Sequence, residues 1–152
     1  MASSIDGYSF PRTWFAGLIA RGEGNHEAAQ HAFAKTRETV QADLKQWPDD
    51  AKTNIMLALV ESALGRKDQA IRAGQRAVQL LPTSHDAFDG PAIATNLAVV
   101  YAQLGEHDMA LQELTPLLEV PNGPTRGMLG VEPEWDPLRN DPRFKKLAGL
   151  EA

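Results

Sequence analysis

Hydrophobic residues recur along most of the chain at the spacing of amphipathic helices, and strand-like alternation of β-branched residues is almost absent. Between residues 55 and 64 they fall at i, i+1, i+4, i+5, i+8 and i+9, along one side of a helix. A second stripe runs over 70–81 and stops at Pro82. Gly65 lies between the stripes, where a left-handed glycine commonly ends a helix. The pattern therefore predicts a helix–turn–helix hairpin of about 34 residues.

The hairpin repeats along the chain. Gly24, Gly65 and Gly105 each stand at an expected helix end, with spacings of 41 and 40 residues. Five residues after each glycine comes an alanine that lets two helix backbones approach closely, namely Ala29, Ala70 and Ala110. A period in the range of about 20 to 50 residues, with one helical hairpin per period, indicates a solenoid.

The same pattern gives the extent of the predicted elements. The predicted helices cover 11–22, 25–46, 49–64, 67–81, 90–104, 107–119 and 141–149. The loop over 82–91 accounts for the repeat spacing, and the Pro- and Gly-rich segment 121–134 is predicted to be an irregular, flexible connector. Pro116 is expected to bend or shorten the sixth helix, because proline removes one backbone hydrogen bond.

Three segments resemble the tetratricopeptide repeat. In segment 51–84 the resemblance rests on Leu57, Ala58, Gly65, Ala70, Ala77 and Pro82. In segment 91–121 it rests on Asn96, Leu97, Ala98, Tyr101, Gly105, Ala110 and Leu117. Segment 11–48 is a divergent third copy that keeps Trp14, Gly24, Ala29 and Phe33.

The resemblance implies an all-α, right-handed α-solenoid of three helical hairpins with a C-terminal capping helix. The hairpins would be 11–48, 49–82 and 90–121, followed by a loop and capping segment over 121–152. Residues 1–10 would form a leader that is disordered or is not part of the natural protein.

The C-terminal stretch WDPLRNDPRFKKL resembles the end of many bacterial signalling proteins that carry these repeats. Its two Asp-Pro pairs, 136–137 and 141–142, each predict an N-cap followed by proline at the first helical position. Phe144, Leu147 and Leu150 are expected to form the apolar side of a last helix, which would cover the open end of the solenoid.

Charge and composition narrow the function. The chain has 152 residues, the length of one domain, and a formal net charge of −5, which argues against a general nucleic-acid or anionic-membrane binder. No apolar run approaches the roughly 18 residues of a membrane span, and the absence of cysteine excludes thiol catalysis and thiolate metal sites. A cytoplasmic location is expected, with an extracytoplasmic domain of a membrane-anchored parent as the alternative.

No convergent catalytic set is apparent, so neither enzymatic activity nor a cofactor or metal is expected. His26 and His31 are spaced i and i+5, whereas a zinc-binding helix needs i and i+4. The three glycines of 123–130 lack the Lys-Ser/Thr of a phosphate loop. Arg72 and Arg76 share a helix face that is expected to be solvated, with a docking patch for an acidic partner as the alternative.

In stacked hairpins of this kind the first helix of each pair lines a concave surface, which is a ready groove for an extended segment or a helix. The side chains expected in this groove are Trp14, Leu18, Arg21, Lys52, Ile55, Met56, Leu59, Ser62, Thr95, Asn96, Val99 and Gln103. Those expected between helices are Leu57, Ala58, Ala70, Leu97, Ala98 and Ala110.

Two assignments stay open at this point. Trp14 and Phe15 could pack against the long second helix, and Ile55, Met56 and Leu59 could belong to the core. The resemblance implies that Asn96 hydrogen-bonds the backbone of a bound peptide.

The function expected from these observations is binding of a protein or peptide in the groove, as part of a larger bacterial signalling protein. One alternative is a small-molecule sensor in which Trp14, Met56 and Asn96 close around a metabolite. The other is self-association into a homo-oligomer.

Overall fold

The computed structural model describes residues 9–150, and over this range the chain is helical without strands. The elements are α1 (Arg12–Gly22), α2 (His26–Gln46), α3 (Ala51–Ala63), α4 (Lys67–Leu80), α5 (Gly90–Gln103), α6 (His107–Leu117), α7 (Arg126–Val131), the 3₁₀ helix η1 (Pro133–Leu138) and α8 (Pro142–Ala148).

The first six helices form three hairpins that stack on one another. α1 packs on α2, α3 on α4 and α5 on α6, and the second hairpin contacts the first through α2 and α3 and the third through α4 and α5. The first helices of the second and third hairpins, α3 and α5, also pack together. The fold is therefore an all-α solenoid of helical hairpins, as the periodicity predicts.

Each hairpin turn contains a glycine in the left-handed region. Gly24, Gly65 and Gly105 have φ of +76°, +74° and +78°. Residues with a Cβ adopt this conformation only at a cost, so the glycines fix where α1, α3 and α5 end.

N-terminal caps explain why α2 and α3 begin one or two residues later than the periodicity predicts. Asn25 accepts a hydrogen bond from the backbone N–H of Ala28, and Asp50 accepts one from the N–H of Thr53. Both residues therefore precede their helices rather than forming part of them. At the other end, α6 stops at Leu117, one residue after Pro116, in agreement with the predicted shortening.

The core lies between the two layers of helices. Ala58, Ala70, Ala98 and Ala110 are fully buried and Leu97 nearly so, as expected for residues between helices, whereas Leu57 is only partly buried. Backbones approach closely where the sequence has glycine: a Cβ on Gly17 would lie 2.4 Å from the ring of Phe33. Small residues thus set the distance between the helices of a hairpin.

The prediction that 121–134 is irregular is wrong for its second half, which forms α7 and the start of η1. The side chain of Thr125 caps α7 by accepting a hydrogen bond from the N–H of Met128. Leu129, a residue of α7, is fully buried. Arg139 donates to the carbonyl oxygens of Gly130 and Glu132, 2.6 and 3.0 Å away. These tertiary contacts stabilise a helical turn despite its two glycines.

The C-terminal segment caps the stack differently from the predicted single helix. η1 packs on α5 as α5 packs on α3, and α8 packs on α6 and α7. Trp135 of η1 and Phe144 of α8 are both buried, with ring centroids 6.3 Å apart. The end of the solenoid is therefore covered by aromatic residues from two short helices.

Three predictions about this segment can be compared with the structure. Asp141 caps α8 and Pro142 is its first residue, as predicted. Asp136 is not an N-cap, because it lies inside η1. Leu150 is 46 % exposed and follows Gly149, which ends α8, so it is not part of the helix's apolar side.

The expected leader falls mostly outside the described residues, which exclude 1–8 and 151–152. Phe10 is described and is not separate from the fold. Its ring centroid lies 6.4 Å from that of Trp14 and 6.1 Å from that of Phe15.

Candidate functional site: the concave cavity

A cavity of about 600 Å³ opens on the side of the solenoid formed by the first helices of the hairpins. α1, α3 and α5 each contribute residues to it, and η1 contributes a further wall. The cavity is lined by Trp14, Leu18, Arg21, Gly22, Leu59, Ser62, Ala63, Asn96, Val99, Gln103, Pro133, Glu134, Asp136 and Pro137.

Eight of the twelve residues expected in the groove lie around this one cavity. They are Trp14, Leu18, Arg21, Leu59, Ser62, Asn96, Val99 and Gln103. The structure thus brings together side chains that are up to 89 positions apart in the sequence, because α1, α3 and α5 all border the same cavity.

The other four expected groove residues are elsewhere. Ile55 and Met56 are fully buried and belong to the core, which corrects their assignment to the groove. Lys52 forms an ion pair with Asp89 at 2.7 Å and does not line the cavity.

Thr95 is 7 % exposed, and its hydroxyl donates to the carbonyl oxygen of Pro91 in its own helix. On α3 the predicted groove face is wrong for Ile55 and Met56: Leu59 is on the cavity side, whereas Met56, nearly a full turn earlier, is buried. A helix phase error of this kind moves residues between core and groove.

Trp14 serves both the core and the cavity. Its ring packs on Phe33 of α2 with centroids 5.3 Å apart, and the residue is 5 % exposed where it borders the cavity. Packing against the long second helix, one of the two open alternatives, is therefore found together with a position on the cavity wall. Arg21 lies at the cavity rim, with its guanidinium 5.6 Å from the centre of the Phe33 ring.

Asn96 is almost fully buried but still borders the cavity. Its Nδ2 donates to the carbonyl oxygen of Ala92, 2.8 Å away in the preceding turn, and no described residue donates to its Oδ1. The amide is thus held in one orientation by its own helix, with the oxygen left as an acceptor.

The wall formed by η1 is the part of the site that the sequence pattern did not indicate. Pro133, Glu134, Asp136 and Pro137 border the cavity, and Gln103 Nε2 donates to the carbonyl oxygen of Glu134 at 3.0 Å. The sequence signal for this wall is the aromatic residue Trp135 between two prolines. The burial of Trp135 brings η1 against α5.

The cavity combines an apolar floor with charges of opposite sign at its two sides. Leu18, Leu59 and Val99 supply apolar surface, Arg21 stands on the α1 side, and Glu134 stands on the η1 side. A mostly apolar cavity with a few polar groups is the usual form of a binding site rather than of a solvated cleft.

Within residues 9–150 no three His, Asp or Glu side chains are grouped so that they could hold a metal ion. His26 and His31 are both exposed on the first turns of α2. In the described part of the chain, no helix is both long and apolar enough to cross a membrane.

Comparison with known proteins gives one match. Residues 10–83, just under half of the chain, match the family model described as tetratricopeptide repeat. No curated protein and no solved structure matches the chain significantly. The matched residues form the first two hairpins, and α5 with α6 repeats the same arrangement beyond the match. The chain is thus an α-solenoid of helical hairpins whose residues 10–83 match the tetratricopeptide repeat.

Proposed function

We propose that this protein binds a peptide segment of a partner protein in the concave cavity between α1, α3, α5 and η1. Tetratricopeptide repeats are generally protein–protein interaction modules, and the match over 10–83 supports that class of function. The observation that carries the proposal is the convergence of eight expected groove residues on one cavity.

The chemistry of the cavity suits an extended peptide. Apolar side chains of the peptide would pack on Leu18, Leu59 and Val99, where burial contributes about 25 cal/mol per Å². A backbone N–H of the peptide would donate to the free Oδ1 of Asn96, and a peptide carboxylate would lie near Arg21. Each of these contacts uses a side chain that the fold holds in place, which lowers the entropic cost of binding.

One position allows the cavity to be blocked without disturbing the fold. Gly22 borders the cavity at the last residue of α1, and a Cβ there would meet nothing within 4 Å. Gly127 on α7 is a matched control, because a Cβ there would meet only the Thr125 hydroxyl, at 3.9 Å, and it does not border the cavity.

The test is a selection of random displayed peptides on the wild-type protein, followed by calorimetric titration of the enriched sequences. Gly22→Trp should weaken their binding at least tenfold, which corresponds to about 1.4 kcal/mol, whereas Gly127→Trp should leave it unchanged. Failure to enrich any sequence, or equal binding by wild type and Gly22→Trp, would contradict the proposal.

The two alternatives from the sequence give different results. A small-molecule sensor would be stabilised by a metabolite in a thermal-shift screen, with no enriched peptide. Self-association would appear in light scattering as a molar mass that rises with protein concentration. A role within a larger bacterial signalling protein is part of the proposal, supported by the resemblance of the C-terminal stretch WDPLRNDPRFKKL.

A further inference from the structure

A second surface lies where one hairpin passes to the next, away from the concave cavity. Trp47 stands between α2 and α3, and Phe88 stands between α4 and α5. They are 65 % and 80 % exposed, the highest values for Trp or Phe among residues 9–150. Trp47 is the C-cap of α2 and Phe88 lies two residues before α5, so both stand in connections that lead from one hairpin to the next.

Contacts between the connections place the two aromatic residues at the same edge of the solenoid. α3 packs on α5, and both helices begin at this edge, shortly after Trp47 and Phe88 respectively. Lys52 in the first turn of α3 forms an ion pair with Asp89, the residue that precedes α5. The two exposed rings thus lie on connections that are joined to each other by this ion pair and by the packing of α3 on α5.

Carboxylates surround Trp47. The indole lines a shallow hollow together with Asp43, Pro48, Asp49, Asp50 and Thr53. Asp49 contacts Arg76 at 2.6 Å but keeps 73 % of its side chain exposed, whereas Asp50 is occupied in capping α3. Asp43 and Asp49 therefore supply accessible negative charge beside an exposed indole.

Phe88 has a similar neighbour. Asp86 accepts hydrogen bonds from the backbone N–H groups of Phe88 and Asp89, at 2.8 and 2.7 Å. These bonds lower the pKa of Asp86, and the bond from Asp89 has a larger effect than the bond from Phe88. The carboxylates at this edge are Asp43, Asp49, Asp50, Asp86 and Asp89, and the cations are Lys45, Lys52 and Arg76. The net charge of the edge is therefore negative.

We propose that this acidic aromatic edge, defined by Asp43, Trp47, Asp49, Asp86 and Phe88, binds a Lys- or Arg-rich segment of a partner protein. A cation over the face of an exposed aromatic ring is attracted by the ring's quadrupole, most strongly for Trp. Carboxylates beside the ring attract the same cation by their charge. The net charge of −5 on the chain attracts such a segment from a distance.

The proposal can be tested with a fluorescein-labelled peptide of alternating arginine and glycine, followed by anisotropy. Binding should saturate at low ionic strength and weaken as salt rises, because exposed charges are screened. Trp47→Leu keeps an apolar side chain but removes the indole, and it should weaken binding about two- to fivefold. The pair Asp43→Asn with Asp49→Asn should weaken it further.

A control with the same change of charge separates this edge from general attraction. Glu23 and Glu27 are exposed near the turn between α1 and α2, and their joint replacement by Gln should leave affinity unchanged. Gly22→Trp should also leave it unchanged, which keeps this test independent of the cavity. The wild-type protein carries its own reporter: Trp14 and Trp135 are buried, so a change in Trp emission on binding comes mainly from Trp47.

Several outcomes would overturn the proposal. Equal binding of a glutamate–glycine or leucine–glycine peptide would remove the charge argument. Equal weakening by the Glu23 and Glu27 replacements, or binding without a change in Trp47 emission, would place the peptide elsewhere. A dimer of the wild type that Trp47→Leu converts to a monomer would show that the edge binds a second copy instead.

Discussion

The Nε atom of Arg37 on α2 lies 2.7 Å from the Oε1 atom of Glu61 on α3, and this ion pair joins the first hairpin to the second. The Glu61 side chain is 2 % exposed. Within residues 9–150 its second oxygen has no hydrogen-bond partner, and Arg66 lies 3.8 Å away. A buried carboxylate without a partner is strongly unfavourable, so the pair holds these helices in one register.

Replacement of Arg37 by Ala should lower the free energy of unfolding by about 2–3 kcal/mol, below the range for a fully buried pair because Arg37 is partly exposed and Arg66 remains. Urea denaturation would measure the loss. Arg76→Ala, which breaks an exposed pair with Asp49, is the control and should cost about 0.5 kcal/mol or less. Equal losses for the two variants would show that Glu61 does not depend on Arg37.

Two glycines of α1 should respond oppositely to alanine. A Cβ on Gly17 would lie 2.4 Å from the Phe33 ring, whereas one on Gly22 would meet nothing within 4 Å. Gly17→Ala should destabilise by about 1–3 kcal/mol through overpacking. Gly22→Ala should be neutral or stabilise by up to about 1 kcal/mol through helix propensity. Thermal denaturation of both variants decides this, and a stabilising Gly17→Ala would contradict the close contact of α1 with α2.

Asp141 should make the C-terminal cap sensitive to acid. Hydrogen bonds from the side chain and backbone of Arg143 lower the pKa of Asp141 to about 2. Because the pKa is lower in the folded than in the unfolded state, the stabilisation is complete above about pH 4 and is lost as pH falls towards 2. The stability difference between wild type and Asp141→Asn, measured against pH, should therefore vanish over that interval. A difference that is constant from pH 2 to about 6 would rule out this linkage.

Asn96 and Asn54 are both buried, yet they should differ in their effect on stability. The Asn54 amide donates to the carbonyl oxygens of Pro48 and Asp50, at 3.0 and 2.8 Å, and so ties the connection between hairpins to α3. Asn96 donates only within its own helix. Asn54→Ala should cost about 1–3 kcal/mol, whereas Asn96→Ala should cost less than about 1 kcal/mol and weaken peptide binding. A large loss of stability in Asn96→Ala would indicate a structural role.

The hairpins could be predicted from the sequence because the signals for them are local. The apolar spacing predicts the helices, and Gly24, Gly65 and Gly105 predict the turns. All the signals for one hairpin therefore lie within about 34 consecutive residues. The helix ends are predicted less accurately. A capping residue such as Asp50 cannot be told from a helical residue by sequence spacing, because its role depends on the hydrogen bond that it accepts.

The cavity could be predicted only in part. Leu59 and Met56 are both apolar residues of the same helix, and their neighbours in space, not their identity, decide which is in the core and which borders the cavity. The wall formed by η1 depends on the burial of Trp135 against α5, a long-range contact that leaves no periodic pattern in the sequence.

Because η1 covers α5, the two ends of the stack differ in how a further hairpin could be added to them. A further hairpin added after α6 would have to displace η1, together with the buried Trp135, before it could reach α5. At α1, by contrast, Phe15 and Ile19 are 51 % and 62 % exposed, and Phe10 packs against the ring of Phe15. Designed elongation of the array should therefore proceed by adding hairpins ahead of α1, while the other end keeps its length.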